Sequence, residues 1–390
     1  MRPLIIIISL VLLFCAQGVW AADAPAAPAG KTGTTPAEAE LGKKTAEQIE
    51  KDIKLIKDDK TIAKLNAITA AIAQYTQRPD VVYHCKILDT SDINAMAIPG
   101  GTVYVTKGLL NAVESDDELA AVLGHEMAHN SLYHIKKSME KEKTYTIAQV
   151  LAVISAAYVT DVANTNTDIA GMLMTSEMVK QAILNGYSVD LEAEADWNSI
   201  QYLYASKKYD PLGMYSVLLG FQQMENGHAK IEMGYLKNHP DTEARIAAAK
   251  KELAELHVPI NLWRVVDFRA RVIPPTAGEK GYTVQFGRDN VMVFTAADGA
   301  QNAEARANAV ADALNRRLTA MDEEIQPFEI QSLLSPDGKT AQIRMRNTVV
   351  VTFVQADLDQ ANGETLYELA NRVKQNMQTA MFHEKLRRSM

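Results

Sequence analysis

Apolar positions along this chain change their period several times, and each change marks an element. Ile62, Leu65, Ile68 and Ile72 recur at helical spacing and predict an amphipathic helix over residues 60–77, after a shorter helical pattern at 45–57. The period then falls toward two. The runs "VVYHCKIL" (81–88) and "GTVYVTKG" (101–108) are rich in β-formers, and Pro99-Gly100-Gly101 between them signals a tight turn. A long helix is predicted from Ser115. Ser115 and Glu118 have the spacing of a capping box, and Asp116, Asp117 and Glu118 suit the electropositive first turn. Val122, Leu123, Met127, Ala128 and Leu132 keep the helix apolar through its middle, to about Lys141.

Further on, residues 145–159 ("YTIAQVLAVISAAYV") are almost wholly apolar but fall short of the ~20 residues that span a bilayer. A buried helix is the plain reading, and a helix lying on a membrane surface or a partner is the other. The Met-rich stretch 172–178 suits packing or an adaptable contact surface. Helical patterns return at 191–205, 212–225 and 242–256. After about His257 the character changes. "YTVQFGRDNVMVFTA" reads as two strands, "NAEARANAVADALNRRLTAMD" as a helix, and "FEIQSLLSPDGKTAQIRMRNTVVVTF" as a hairpin turned at Pro336-Asp337-Gly338. A last helix is predicted over 364–386. The fold class is therefore α+β. A mainly helical domain with a small β-hairpin or sheet occupies 44–270, and a small α+β domain occupies 271–390, joined through 271–281. No repeating period is visible along the sequence.

The amino-terminus changes the setting. Arg2, an apolar run from Leu4 to Phe14 and then Val19-Trp20-Ala21, with small or tolerated residues at the cleavage positions, form a secretory signal peptide, so residues 1–21 are expected to be removed. Cys15 follows the bulky Phe14, which fits a lipoprotein signal poorly. Residues 22–43, rich in Ala, Pro, Gly and Thr, read as a flexible linker. Cleavage leaves Cys85 as the one thiol, so an exported protein, in a bacterial periplasm by its signal, would have no internal disulfide. The length of 390 residues, with 47% hydrophobic and 23% charged residues, fits two globular domains. A net charge of −8 argues against nucleic acid as a partner, because no basic excess is available to neutralise phosphates.

The candidate chemistry lies in "LGHEMAHNSLYH", residues 123–134, which holds three of the eight histidines. Positions four apart share a helix face, so His125 and His129 can aim two imidazoles at one ion with Glu126 beside them. This HExxH spacing is the pattern of zinc metallopeptidases. Two unpaired imidazoles and an acid amid Leu123, Gly124, Met127 and Ala128 would be costly without a ligand role. A catalytic zinc needs a third ligand from another element. Residues 187–200, "YSVDLEAEADWNSI", offer Glu192 and Asp196 on one helical face, with Glu194 pointing roughly away. Either Glu192 or Asp196 can bind the metal while the other accepts the second N–H of a histidine. Two imidazoles and a carboxylate also suit iron, but the neighbouring Glu126 favours hydrolytic zinc.

"HEMAH" followed by "EAEAD" resembles metallopeptidase family forty-eight, the HtpX-like and CAAX prenyl proteases. "NAMAIPGGTVYVTKGLL" (94–110), "YDPLGM" (209–214) and "NHPDTEARI" (238–246) resemble further stretches of the same family, so the likeness covers about 80–249 in order and spacing. The resemblance implies a zincin-type gluzincin domain with one Zn2+ per chain, Glu192 as the third zinc ligand and Asp196 as its supporting partner. It implies Glu126 as general base and His239, with Arg245 second, as donor to the oxyanion. His239 has a competing reading as a fourth ligand that holds the zinc latent. The strand at Asn94, Ala95, Met96 and Ala97 is expected to bind an extended substrate by its edge. Val189 and Ser199 stand where the family usually has Arg and Gly. That leaves the helix packing there, and any part for that arginine, open. His134 falls on a histidine frequent in the family and receives no role from the sequence.

The implied activity is endoproteolysis of misfolded or misassembled exported proteins, with protein or peptide substrates as partners and contact with a membrane surface or envelope protein possible. A chaperone-like module with a latched zinc is the alternative.

Overall fold

The computed structural model describes residues 33–141, 179–180, 183–184, 186–226, 239, 242–278, 281–299, 301–358 and 363–389. The signal-peptide segment, the start of the expected linker, the apolar run at 145–159 and the Met-rich stretch at 172–178 lie outside these residues. Among the described residues no helix is long and apolar enough to cross a membrane.

Helix α1 (Pro36–Asp52) starts inside the expected linker and so corrects that expectation. Thr35 caps it by accepting from the Glu38 N–H, and Pro36 takes a first-turn position where a missing N–H costs nothing. Its face of Leu41, Ala46 and Ile49 is buried against Met96, Ile98 and Tyr104. Gly42 meets the Pro99 carbonyl so closely that a Cβ there would collide with it. Glu38 and Arg78 form a buried ion pair, with Nη1–Oε1 at 2.9 Å, and Glu38 also accepts from the Gly100 N–H.

Strand β1 (Leu55–Ile56), helix α2 (Asp59–Ala73) and strands β2 (His84–Leu88), β3 (Ala95–Ala97) and β4 (Thr102–Thr106) follow. They make one sheet of order β1-β2-β4-β3, in which β2 and β4 run parallel and β3 pairs antiparallel with β4. The edge strand β3 therefore runs beside the helix that carries the candidate ligands. Helix α3 (Lys107–Ala112) leads to α4 (Asp116–Ser131), capped by Ser115 as the sequence predicts. The long helix expected to reach Lys141 instead ends at Ser131. Tyr133 adopts φ 57°, and α5 (His134–Lys141) begins after it.

Helices α6 (Val189–Ser206) and α7 (Leu212–Asn226) pack against α4, and α8 (Thr242–Glu255) packs against α6 and α7. The α4–α6 crossing is close because small residues face each other. A Cβ on Gly124 would lie 2.8 Å from Ser199 Oγ, and the Ser199 hydroxyl donates to the Ala121 carbonyl at 2.7 Å. The Ser199 hydroxyl thus adds a hydrogen bond across the crossing.

A second core begins at Trp263, Val266 and Phe268, ahead of the expected boundary at 271. Strand β5 (Ala270–Ile273) occupies the start of the expected connector. It is followed by β6 (Tyr282–Phe286), β7 (Asp289–Phe294), α9 (Ala303–Leu318), β8 (Ile330–Leu334), β9 (Thr340–Met345), β10 (Thr348–Val354) and α10 (Leu366–Ser389). The expected hairpin is therefore a three-stranded meander.

This domain is the same unit built twice. Two antiparallel meanders, β5-β6-β7 and β8-β9-β10, are each followed by a helix, and each has a two-residue turn between its second and third strands. The first turn position is left-handed in both units, at Gly287 (φ 63°) and Arg346 (φ 54°). Phe294 and Phe353, at matching ends of β7 and β10, stack against each other. The repeat escapes a sequence reading because arginine takes the glycine's place and one β-branched run hides a turn.

Candidate metal centre

α4 and α6 cross so that their polar residues meet inside an otherwise apolar core. His125, Glu126, His129, Glu192 and His239 are all buried. One ligand atom from each of His125, His129, Glu192 and His239 lies within 4.8 Å of the others. His125 Nε2 is 2.9 Å from His129 Nε2 and 3.3 Å from His239 Nδ1. His239 Nδ1 is 2.8 Å from both Glu192 oxygens, and Glu192 stands 3.4 Å from each of His125 Nε2 and His129 Nε2. Four ligands on a tetrahedral zinc would be spaced roughly 3.4 Å apart, and three imidazoles with one carboxylate are donors that zinc accepts. The residues fit a metal ion.

Burial alone would push the Glu192 carboxyl up, but His239, His125 and His129 outweigh it and hold the group well below the usual carboxylate range. Burial, reinforced by a charged His125, lowers His129 well below 6.5, whereas His125, against its own burial, is raised to about 9 by Asp196 and Glu192, so a metal ion would have to displace the His125 proton. Burial raises Glu126 above its usual 4.5. Glu126 Oε2 accepts from the Ala97 N–H at 3.1 Å, so the edge strand β3 orients this carboxylate. Its Oε1 is buried, accepts no hydrogen bond from a described residue, and lies 3.7 Å from His239 Nε2.

The supporting groups come from three directions. Asp196 Oδ1 lies 2.8 Å from His125 Nδ1. Arg245, on α8, donates to both Asp196 oxygens, at 2.6 and 2.7 Å, to the His239 carbonyl at 3.0 Å, and stands 3.2 Å from Glu192 Oε2. Its guanidinium is thus engaged by Asp196, Glu192 and the His239 carbonyl. Tyr187 stacks flat on His129, with ring centroids 3.9 Å apart. The contact is not legible in the sequence, where a tyrosine just ahead of the acidic helix is its one sign. Asn94, Ala95, Met96 and Ala97 lie along the buried edge strand, where the Asn94 N–H donates to Thr106 Oγ1. His134, given no role from the sequence, lies against the outer side of His129.

Residues 59–253 match the family model described as "Peptidase family M48", and residues 283–383 match a "Domain of unknown function (DUF8459)". The chain is 25% identical over 229 residues to the "Beta-barrel assembly-enhancing protease" of Yersinia pestis, covering 58% of this chain and 46% of that protein. It is 32% identical over 160 residues to "Metalloendopeptidase OMA1, mitochondrial" of Bos taurus, covering 40% of this chain and 29% of that one. A "Putative beta-barrel assembly-enhancing protease" of Vibrio cholerae is 31% identical over 190 residues, or 48% and 38% of the two chains. The chain spans less than half the length of each of these relatives.

Proposed function

The chain belongs to peptidase family M48, and from that premise we propose that it is a zinc endopeptidase with Glu126 as its general base. The observation that carries this reading is the Glu126 carboxylate. One of its oxygens is held by the edge strand, and the other accepts no hydrogen bond from a described residue and is buried near four converging donor atoms. His125, His129 and Glu192 would hold the ion, with Asp196 and Arg245 fixing them from behind. A zinc ion there supplies the Lewis acidity that polarises a carbonyl and acidifies water. Glu126 Oε1 takes the proton of the attacking water and passes it to the leaving amine. An extended substrate added along Asn94–Ala97 would bring its scissile bond to the residue that Ala97 orients.

His239 has a specific place in this scheme. Its Nδ1 lies among the other donor atoms, which supports the reading of a latched, four-donor state. Catalysis requires a free position, and His239 must withdraw to provide it. Replacing His239 by Ala is expected to raise casein cleavage. A fall of about 100-fold in kcat with zinc retained would instead assign His239 to the oxyanion.

The substrate class proposed is misfolded or misassembled protein of the bacterial envelope, reached through the signal peptide. Its support is the apolar amino-terminal run together with the assembly-related names of two relatives. The test is metal content and cleavage together. The purified chain should hold one zinc, cut unfolded casein, lose activity to a chelator and regain it with zinc. A tightly held zinc with no hydrolysis at any pH would favour the chaperone-like module.

A further inference from the structure

His134 is fully buried, and the backbone is bent to place it. Residues five apart in a straight α-helix point roughly 140° away from each other, so an unbroken helix would keep His129 and His134 apart. Between α4 and α5 the chain turns at Tyr133, whose φ of 57° is the left-handed conformation that a glycine usually supplies after a helix. An aromatic side chain seldom adopts it. The turn carries His134 Nδ1 to 2.8 Å from His129 Nδ1. The far nitrogen, Nε2, is 3.2 Å from Glu194 Oε2, and Lys137 Nζ grips both oxygens of that carboxylate at 2.9 and 3.2 Å.

The chemistry assigns every proton in this row. His129 turns Nε2 toward the ligand cluster, so with a metal bound there its one proton is on Nδ1 and is donated outward. His134 Nδ1 must then accept. Its own proton is on Nε2, and Glu194 receives it. We infer that His134 is a positioning residue for the metal centre, holding His129 in its metal-binding tautomer and orientation through the row His129–His134–Glu194–Lys137. Each imidazole on α4 then has its own carboxylate on α6. Asp196 lies directly behind His125, and Glu194 acts on His129 through His134. All three acids of "EAEAD" are used, including the one that points away from the metal. The inference rests on the metal reading of His129.

The test measures zinc affinity of the full chain by competition with a chromophoric chelator. His134→Ala is expected to weaken zinc binding about 10–100-fold, the usual cost of losing a ligand's supporting partner. His134→Asn, whose Oδ1 stands near the place of Nδ1 and accepts the same proton, is expected to return to within a few-fold of native. Native affinity in His134→Ala, or an Asn variant as weak as Ala, would overturn the inference. The unaltered zinc-loaded chain gives a readout independent of variant folding. Imidazole nitrogen-15 spectra should place the His134 proton on Nε2, and a proton on Nδ1 would overturn the assignment. A native chain that binds no zinc would sink both this and the proposed function. Zinc bound equally by native and His134→Ala chains would sink this inference alone.

Discussion

At the scale of single residues, the centre is organised by charge. Glu192 and Asp196 place two buried carboxylates near each other, and Arg245 is the cation that satisfies both. Removing one partner from a buried charge network leaves the other uncompensated. Arg245→Ala is therefore expected to destabilise the metal-free protein by about 3–5 kcal/mol in urea unfolding, with added zinc restoring part of the loss. An unchanged midpoint would mean that water or another cation replaces the guanidinium. The residue roles were unevenly legible in the sequence. Helical spacing alone puts His125 with His129, and Glu192 with Asp196. Arg245 and His239 come from elsewhere in the chain, where no period connects them to α4, so they entered through resemblance. The part of His134 could not be read at all, because it depends on a left-handed turn made by a tyrosine.

At the scale of elements, the metal ligands depend on how closely α4 and α6 approach. Gly124 and Ser199 set that distance. Gly124→Ala forces a Cβ against Ser199 Oγ and is expected to lower both zinc affinity and melting temperature. The Gly124→Ala, Ser199→Gly double variant should recover much of both, giving a coupling of about 0.5–3 kcal/mol in a double-mutant cycle. Additive effects would show that the crossing is not limited by this pair. Most elements around the site follow from their periods and caps, as α4 does from Ser115 and Glu118. The start of α1 and the turn before β10 escape a sequence reading because their local signals are masked, whereas the break between α4 and α5 at Tyr133 carries no signal in the sequence. Proline- and alanine-rich sequence hid the buried face of α1, although Thr35 and Pro36 mark a helix start. Arg346 hid the turn between β9 and β10 because it takes a conformation that glycine usually announces.

Across the whole molecule, the tail of α10 joins the repeated domain to the first turn of α4. Arg387 reaches Glu114 at 2.7 Å, and Arg388 reaches Ser216 at 3.3 Å. Ser216 in turn donates to Glu118 Oε1 at 2.7 Å, while the Glu114 N–H donates to Oε2. Burial pushes the Glu118 carboxyl up to about 7, against those donors and Arg388. The folded protein therefore holds a proton more tightly here than the unfolded chain, for which 4.5 is the ordinary value. This contribution to stability is complete below about pH 4.5 and is lost as pH rises through about 7, by about 3 kcal/mol in all. Glu118→Gln keeps a neutral side chain that can satisfy Glu114 N and Ser216 Oγ. Its urea stability relative to native should improve between pH 5 and 8, by up to about 3 kcal/mol. A pH-independent difference would contradict the burial of an ionising acid at this seam.

If a buried metal and Glu126 together cut peptide bonds, replacing Glu126 alone should separate metal binding from cleavage. Glu126→Gln keeps the side chain's size and the acceptor for the Ala97 N–H but cannot take a proton. Metal content and casein cleavage should be measured on the same preparation, beside the native chain. One zinc per chain is expected in both proteins, with cleavage lost from the variant alone. A zinc-loaded Glu126→Gln chain that cuts casein at the native rate would contradict that role of Glu126.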